Sequence, residues 1–209
     1  MAVNQFKGIK FENPPGKNMC FSNSASNGLL SSVHFTAELL NQGHYCVSCD
    51  FFNKLKNPIA HSANKSSDQL KNWIGFLHRE FNNDEQQDPC ELIQHIIDKC
   101  TYLCELTKTG VFKSYKCLKC QFESQNEETR NILYADLHGR STSEIISKAV
   151  KYITKVMKMC DNCHSSNYHE LVEKILVFPK ILILCLKRFR VTSSNRPVGK
   201  NCSKISPDS

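Results

Sequence analysis

The sequence predicts an α+β fold, and three observations carry that reading. Apolar residues recur with helical spacing as far as Gly110, the mark of helices that bury one face. Beyond Gly110 the texture changes to short β-rich runs set around C-x-x-C pairs. Segregation of helices from strands, rather than alternation, is the α+β pattern. The chain has 209 residues, 40% hydrophobic and 22% charged, enough apolar surface to build one sizeable core or two small ones and too much for a disordered chain. The expected organisation is a helical part over 1–108, a metal-binding part over 109–178, the first part of a further sheet over 179–190, and a disordered tail over 191–209.

The elements follow in chain order. A helix is expected over 20–31, starting at a cysteine in KNMCFSNSASNGLL, with a second in SVHFTAELLNQ. The stretch 53–67, with Pro58 and several Ser, Asn and Lys, reads as a loop. In SDQLKNWIGFLHREF, Leu70, Trp73, Ile74, Leu77 and Phe81 share one helical face. QQDPCELIQHIIDKCTYLC carries its own start signal: Asp88 suits the N-cap, Pro89 the first helical position and Glu91 the third. One helix is expected through this whole segment, with Ile93, Ile96, Ile97, Cys100 and Cys104 on one face. VFKSYKCLKCQFES and NILYADL read as strands. Ser141 and Glu144 have capping-box spacing before IISKAVKYITKVM, expected as an amphipathic helix through Met157. LVEKILVF and ILILCLKRFR read as strands, the second apolar enough for a sheet interior. From Thr192 the chain is polar and rich in Ser, Asn and Pro, which predicts a disordered end.

The formal net charge of +7 would suit nucleic acid or an acidic partner. The lysines, however, are spread along amphipathic segments rather than massed, which describes a solvated surface; no nucleic-acid or membrane partner is expected. MAVNQFKGIKFENPPG lacks the apolar core of a signal peptide, and ILVFPKILILCL is interrupted by Pro179 and Lys180. The expected setting is therefore soluble and intracellular, cytoplasmic or nuclear.

Twelve cysteines in such a setting point to metal before disulfides. Cys117-x-x-Cys120 and Cys160-x-x-Cys163 form a four-thiolate set suited to tetrahedral zinc. The long stretch between the pairs implies two knuckles on separate hairpin arms, holding about one structural zinc per chain; buried thiols without metal are the alternative. Cys46-Val-Ser-Cys49 has no partner pair at a sensible distance, and despite the adjacent His44 it reads as core or loop.

Cys20, at a helix start, has the macrodipole to stabilise a thiolate and its own N–H to meet an oxyanion. A small buried core residue is the plainer reading of that position alone. The wider sequence decides differently. Asn18, Cys20, Phe21, Asn23 and Ser24 resemble the cysteine box of the ubiquitin-specific proteases, a papain-like family. Gln86, Gln87, Asp88 and Glu91 are similar to that family's Gln-Gln-Asp-x-x-Glu helix. The two C-x-x-C pairs sit where the family carries its zinc ligands, and Pro179, Leu182, Leu186, Lys187, Arg188 and Phe189 match its Leu-Lys-Arg-Phe strand.

The resemblance implies a hand-like fold: thumb helices near the nucleophile, zinc-ribbon fingers and a partial antiparallel palm sheet begun by 181–190. It implies ubiquitin as partner, Cys20 as nucleophile, and Asp88 and Glu91 meeting the basic ubiquitin tail, a role compatible with capping a helix. Cys20 would attack the carbonyl after the last ubiquitin glycine and give a thioester that water hydrolyses.

Two positions depart from the family. Its oxyanion-hole Asn, five residues before the nucleophile, is Pro15 here, which leaves Asn18 and the Cys20 amide as candidates. Its catalytic His follows the Leu-Lys-Arg-Phe strand, whereas this chain has no histidine after His169. The leading expectation is the N-terminal portion of a cysteine deubiquitinase, inactive or nearly so at this length. A non-catalytic ubiquitin-binding module and a zinc-stabilised nucleic-acid binder are the competing expectations.

Overall fold

Helix packing builds one unit, Met1–Leu106, and strand pairing dominates a second, Thr107–Ser209. The computed structural model describes residues 12–41, 45–56, 67–137, 141–191 and 197–205.

In the first unit α1 (Cys20–Ser31), α2 (Val33–Asn41), α3 (Val47–Lys56), α4 (Ser67–Leu77), α5 (Pro89–Asp98) and α6 (Thr101–Thr107, ending just past the unit boundary) follow one another, with a 3-10 turn at Arg79–Phe81 after α4. α1 buries Phe21, Ala25, Leu29 and Leu30; α4 buries Leu70, Ile74 and Leu77; α5 buries Leu92, Ile96 and Ile97. The rings of Phe21 and Phe81 lie 6.0 Å apart, and Phe81 meets His95 edge-on at 5.4 Å. Phe81 thereby joins α1 to α5. It is 1% exposed, so Phe81→Ala should cost about 3–5 kcal/mol in lost transfer energy and cavity.

Asp88 caps α5 as expected, accepting the Cys90 N–H at 2.7 Å with Pro89 at the first position. Three expectations for this unit need correction. The segment 53–67 is not all loop, because α3 continues to Lys56; residues 57–66 lie outside the described residues. Phe81, expected on one helical face with Leu70, Trp73, Ile74 and Leu77, lies past the end of α4 in the 3-10 turn. The single helix expected from Pro89 to Cys104 is two, because the chain turns at Lys99 and Cys100, where the Cys100 N–H reaches back to the Ile97 carbonyl at 2.9 Å. A 3-10 closure of this kind tightens a helix end, and α6 restarts on Thr101.

The second unit holds β1 (Thr109–Cys117), β2 (Glu123–Arg130), β3 (Leu133–Asp136), α7 (Thr142–Val150), β4 (Lys151–Met159), β5 (Ser166–Val177), β6 (Leu184–Lys187), β7 (Phe189–Val191) and β8 (Pro197–Lys200). Its main sheet runs β2-β1-β5-β4 with every pair antiparallel. The register shifts at Gly110, where a Cβ would stand 3.0 Å from Val177 Cβ, so glycine lets β5 approach. Lys113 and Arg130 share Glu128 and Glu173, with Lys113 directly facing Glu173 across the β1–β5 pair, opposite charges in facing positions.

The Ser141–Glu144 capping box forms as expected, but the helix it starts stops at Val150. Lys151–Met159 is strand β4, not the rest of an amphipathic helix. Tyr152, Ile153, Thr154 and Val156 are β-formers, and their burial alternates strictly with period two. Partnership with β5 over nine residue pairs overrides the helical spacing of Ile146, Ala149, Val150, Ile153 and Met157. The apolar run 181–191 divides into β6, which lies parallel to β3, and β7, which pairs antiparallel with β8. The tail expected to be disordered therefore contributes a strand at Pro197–Lys200, with proline at its first position, where a missing N–H is tolerated. Residues 192–196 and 206–209 lie outside the described residues.

Candidate active site and metal centre

The loop before α1 is built by turn chemistry. Lys17 N–H closes on the Pro14 carbonyl at 3.1 Å, with Pro15 and then Gly16 at φ +84° between them, the layout of a type II turn. Asn13 Oδ1 accepts the Met19 N–H at 2.8 Å. Asn18 stands in the left-handed region at φ 49°, which asparagine tolerates better than most residues, and its side-chain N–H donates to the Asp84 carbonyl at 2.9 Å. The turn presents Cys20 as the first residue of α1, exposed to solvent. It is not a core cysteine.

α1 packs on α5, so Cys20 and the Asp88 end of α5 belong to one unit. Gln86 Nε2 stands 3.9 Å from Cys20 Sγ. Sequence reading used Gln86 as a motif residue but did not place it at the sulfur; the signal was its position two before the Asp88 cap. Asp88 and Glu91 are both exposed. The loop leading to Gln86 is tied by Asp84, which bonds Lys71 at 2.9 Å and lies 3.5 Å from Lys17. The hydrogen bond from Lys71, with the nearby Lys17, holds the Asp84 carboxyl below the usual range. Among the described residues no histidine hydrogen-bonds to Cys20.

In the second unit the two expected cysteine pairs come together. The Sγ atoms of Cys117, Cys120, Cys160 and Cys163 all lie within 4.8 Å of one another. The first pair sits at the β1–β2 turn and the second at the β4–β5 turn, and β1 pairs with β5 so that Cys117 opposes His169. The two knuckles have the same backbone. The Gln121 N–H returns to the Cys117 carbonyl and the His164 N–H to the Cys160 carbonyl, each at 2.9 Å. Gln121 and His164 both take left-handed φ, 63° and 50°. Cys117 and Cys160 are buried, Cys120 and Cys163 half-buried. The backbone N–H of Phe122, and then the Asn162 amide, pull the Cys120 thiol down to about 6. Ser165 lowers that of Cys163. Cys160, despite the Cys163 backbone N–H, is pushed up to about 11 by burial and by the Cys120 and Cys163 thiols. The four converging thiols are a donor set that fits a tetrahedral soft-metal ion.

Comparison with known proteins completes the description. The family model described as ubiquitin carboxyl-terminal hydrolase matches residues 13–207. The chain belongs to that family. Among solved structures, the SAGA DUB module Ubp8/Sgf11/Sus1/Sgf73 bound to monoubiquitin superposes with TM-score 0.70 at 18% identity, covering 100% of this chain and 53% of that one. The same module bound to ubiquitin aldehyde gives TM-score 0.65 at 18% identity, covering 92% and 50%. These matches show the fold; the chain spans about half the length of the structures it resembles. No curated protein matches it.

Among the described residues, no helix is long and apolar enough to cross a membrane.

Proposed function

We propose that this chain is the thumb-and-fingers portion of a cysteine deubiquitinase: it binds ubiquitin and directs the ubiquitin C-terminus to Cys20. The observation that carries this is the exposed Cys20 at the start of α1, with Gln86 at its sulfur and the Asp88 helix packed alongside, inside a region that matches the hydrolase family. The similar structures hold monoubiquitin or ubiquitin aldehyde, which supports ubiquitin as partner.

Cys20 Sγ attacks the carbonyl carbon after the last ubiquitin glycine; an S–C bond forms, the leaving amine departs with a proton, and water later cleaves the thioester. The Cys20 N–H and the Asn18 amide are the candidate oxyanion donors. One Asn18 N–H is committed to Asp84; Gln86 is a further amide donor where Pro15 supplies none. Asp88 and Glu91 face the basic tail by charge, while Asp88 also caps its helix.

Cys117, Cys120, Cys160 and Cys163 hold a structural zinc, whose chemistry here is to cross-link two hairpin arms. The setting proposed with it is cytoplasmic or nuclear.

As 209 residues the chain binds without efficient turnover, because no histidine follows the Leu-Lys-Arg-Phe strand and a cysteine without its base loses most of its advantage. The test is hydrolysis of a ubiquitin C-terminal fluorogenic substrate beside a binding titration with ubiquitin. Saturable binding with hydrolysis no faster than Cys20→Ala is expected. Turnover lost on Cys20→Ala would overturn the inactivity, and absence of binding would overturn the partner.

A further inference from the structure

The turn at Lys99–Cys100 that divides α5 from α6 brings a third sulfur to the Cys46-Val-Ser-Cys49 pair. The Sγ atoms of Cys46, Cys49 and Cys100 all lie within 4.8 Å of one another, with Cys49 and Cys100 buried and Cys46 half-buried. Cys46 and Cys49 sulfurs are 3.3 Å apart, and the Cys49 N–H points at Cys46 Sγ at 3.3 Å. Cys46 stands immediately before α3 and Cys49 in its first turn. The N–H of Asp50 returns to the carbonyl of Cys46 at 2.9 Å as the first hydrogen bond of that helix, which sets both sulfurs at one helix end. The buried Ser48 hydroxyl donates to the Ile96 carbonyl at 2.6 Å, pinning the start of α3 to the last turn of α5, four residues before Cys100.

We propose that Cys46, Cys49 and Cys100 form a second metal site, for a thiophilic divalent cation such as zinc, inside the helical unit. Three thiols release three protons to solvent as three metal–sulfur bonds form, leaving one coordination position for water or a further donor. The bound ion joins α3 to the α5–α6 junction, so it braces the helix whose other end carries Asp88. The site shares no residue with the fingers cluster and does not depend on the deubiquitinase reading.

Metal content of the intact chain, purified under reducing conditions, tests it. Two zinc per chain are expected, falling to one in Cys100→Ser and to one in Cys117→Ser, each variant losing a different ion. Should Cys100→Ser fail to fold, the unmutated chain loaded with 113Cd serves instead. Two resonances are expected, one in the four-sulfur region and one displaced toward fewer sulfurs. One metal per chain with a single resonance would overturn the proposal, as would an intact mass two hydrogens light with the bond mapped to Cys46–Cys49.

Discussion

Gln86 Nε2 lies 3.9 Å from Cys20 Sγ although 66 residues separate them. Two ties bring them together: the Asn18 side chain on the Asp84 carbonyl, and Phe81 against Phe21 just inside. Gln86 is exposed and caps nothing, so its removal should spare the fold. Gln86→Ala is expected to leave ubiquitin affinity within about twofold while slowing acylation of Cys20 by about a hundredfold or more, the scale of a lost oxyanion donor. Rates of adduct formation with a ubiquitin C-terminal electrophile, measured beside affinity, check it.

Asp84 predicts an acid limb. Its carboxyl is held down by the Lys71 hydrogen bond and by Lys17, so the folded state favours the ionised form. The associated stabilisation is complete above the ordinary value of 3.8 and disappears as pH falls through the lower folded value. Below that ordinary value, stability of the parent should fall more steeply with pH than that of Asp84→Asn. Urea midpoints at pH 2 to 5 read the difference; parallel curves over that range would exclude the role.

Asp88 serves a helix and, by proposal, a ligand, and the two roles separate. Asparagine caps as well as aspartate, whereas alanine costs about 1 kcal/mol. Asp88→Asn should therefore keep the midpoint of thermal unfolding and weaken ubiquitin binding, while Asp88→Ala loses both. Equal affinity for the parent and Asp88→Asn would leave only the cap.

The fingers metal should carry much of the second unit's stability. β2 exposes five of its eight residues and β4 five of its nine, and neither buries one fully, a thin core for a four-stranded sheet. Cys120→Ser should remove one zinc and lower the melting temperature by about 10 °C or more, since 1 kcal/mol shifts a domain of this size by about 4–8 °C. An unchanged melting temperature with metal lost would make the ion ornamental.

Local signals were legible where they act through neighbouring residues. Asp88-Pro89 and Ser141–Glu144 fix helix starts through their own backbone, and both form as read. Cysteine spacing was legible for the fingers because two knuckles of equal design need only meet. What was not legible depended on partners distant in sequence. Ile153 and Met157 have helical spacing, yet β5 offers them a full antiparallel ladder and the ladder prevails. Pro197 begins a strand only because Phe189–Val191 lies opposite. Cys100 read as one helical face residue; the 3-10 closure onto Ile97 turned it toward Cys46 and Cys49. The Gln86–Cys20 approach likewise needed the Asp84 loop, which no periodicity describes.

The most direct test of the account uses ubiquitin bearing a C-terminal alkylating group, in mildly alkaline buffer that supplies thiolate without a histidine. The account predicts one adduct per chain, mapped to Cys20, absent in Cys20→Ala and slowed by excess unmodified ubiquitin. Labelling that spreads equally to the exposed Cys202 and ignores unmodified ubiquitin would contradict it.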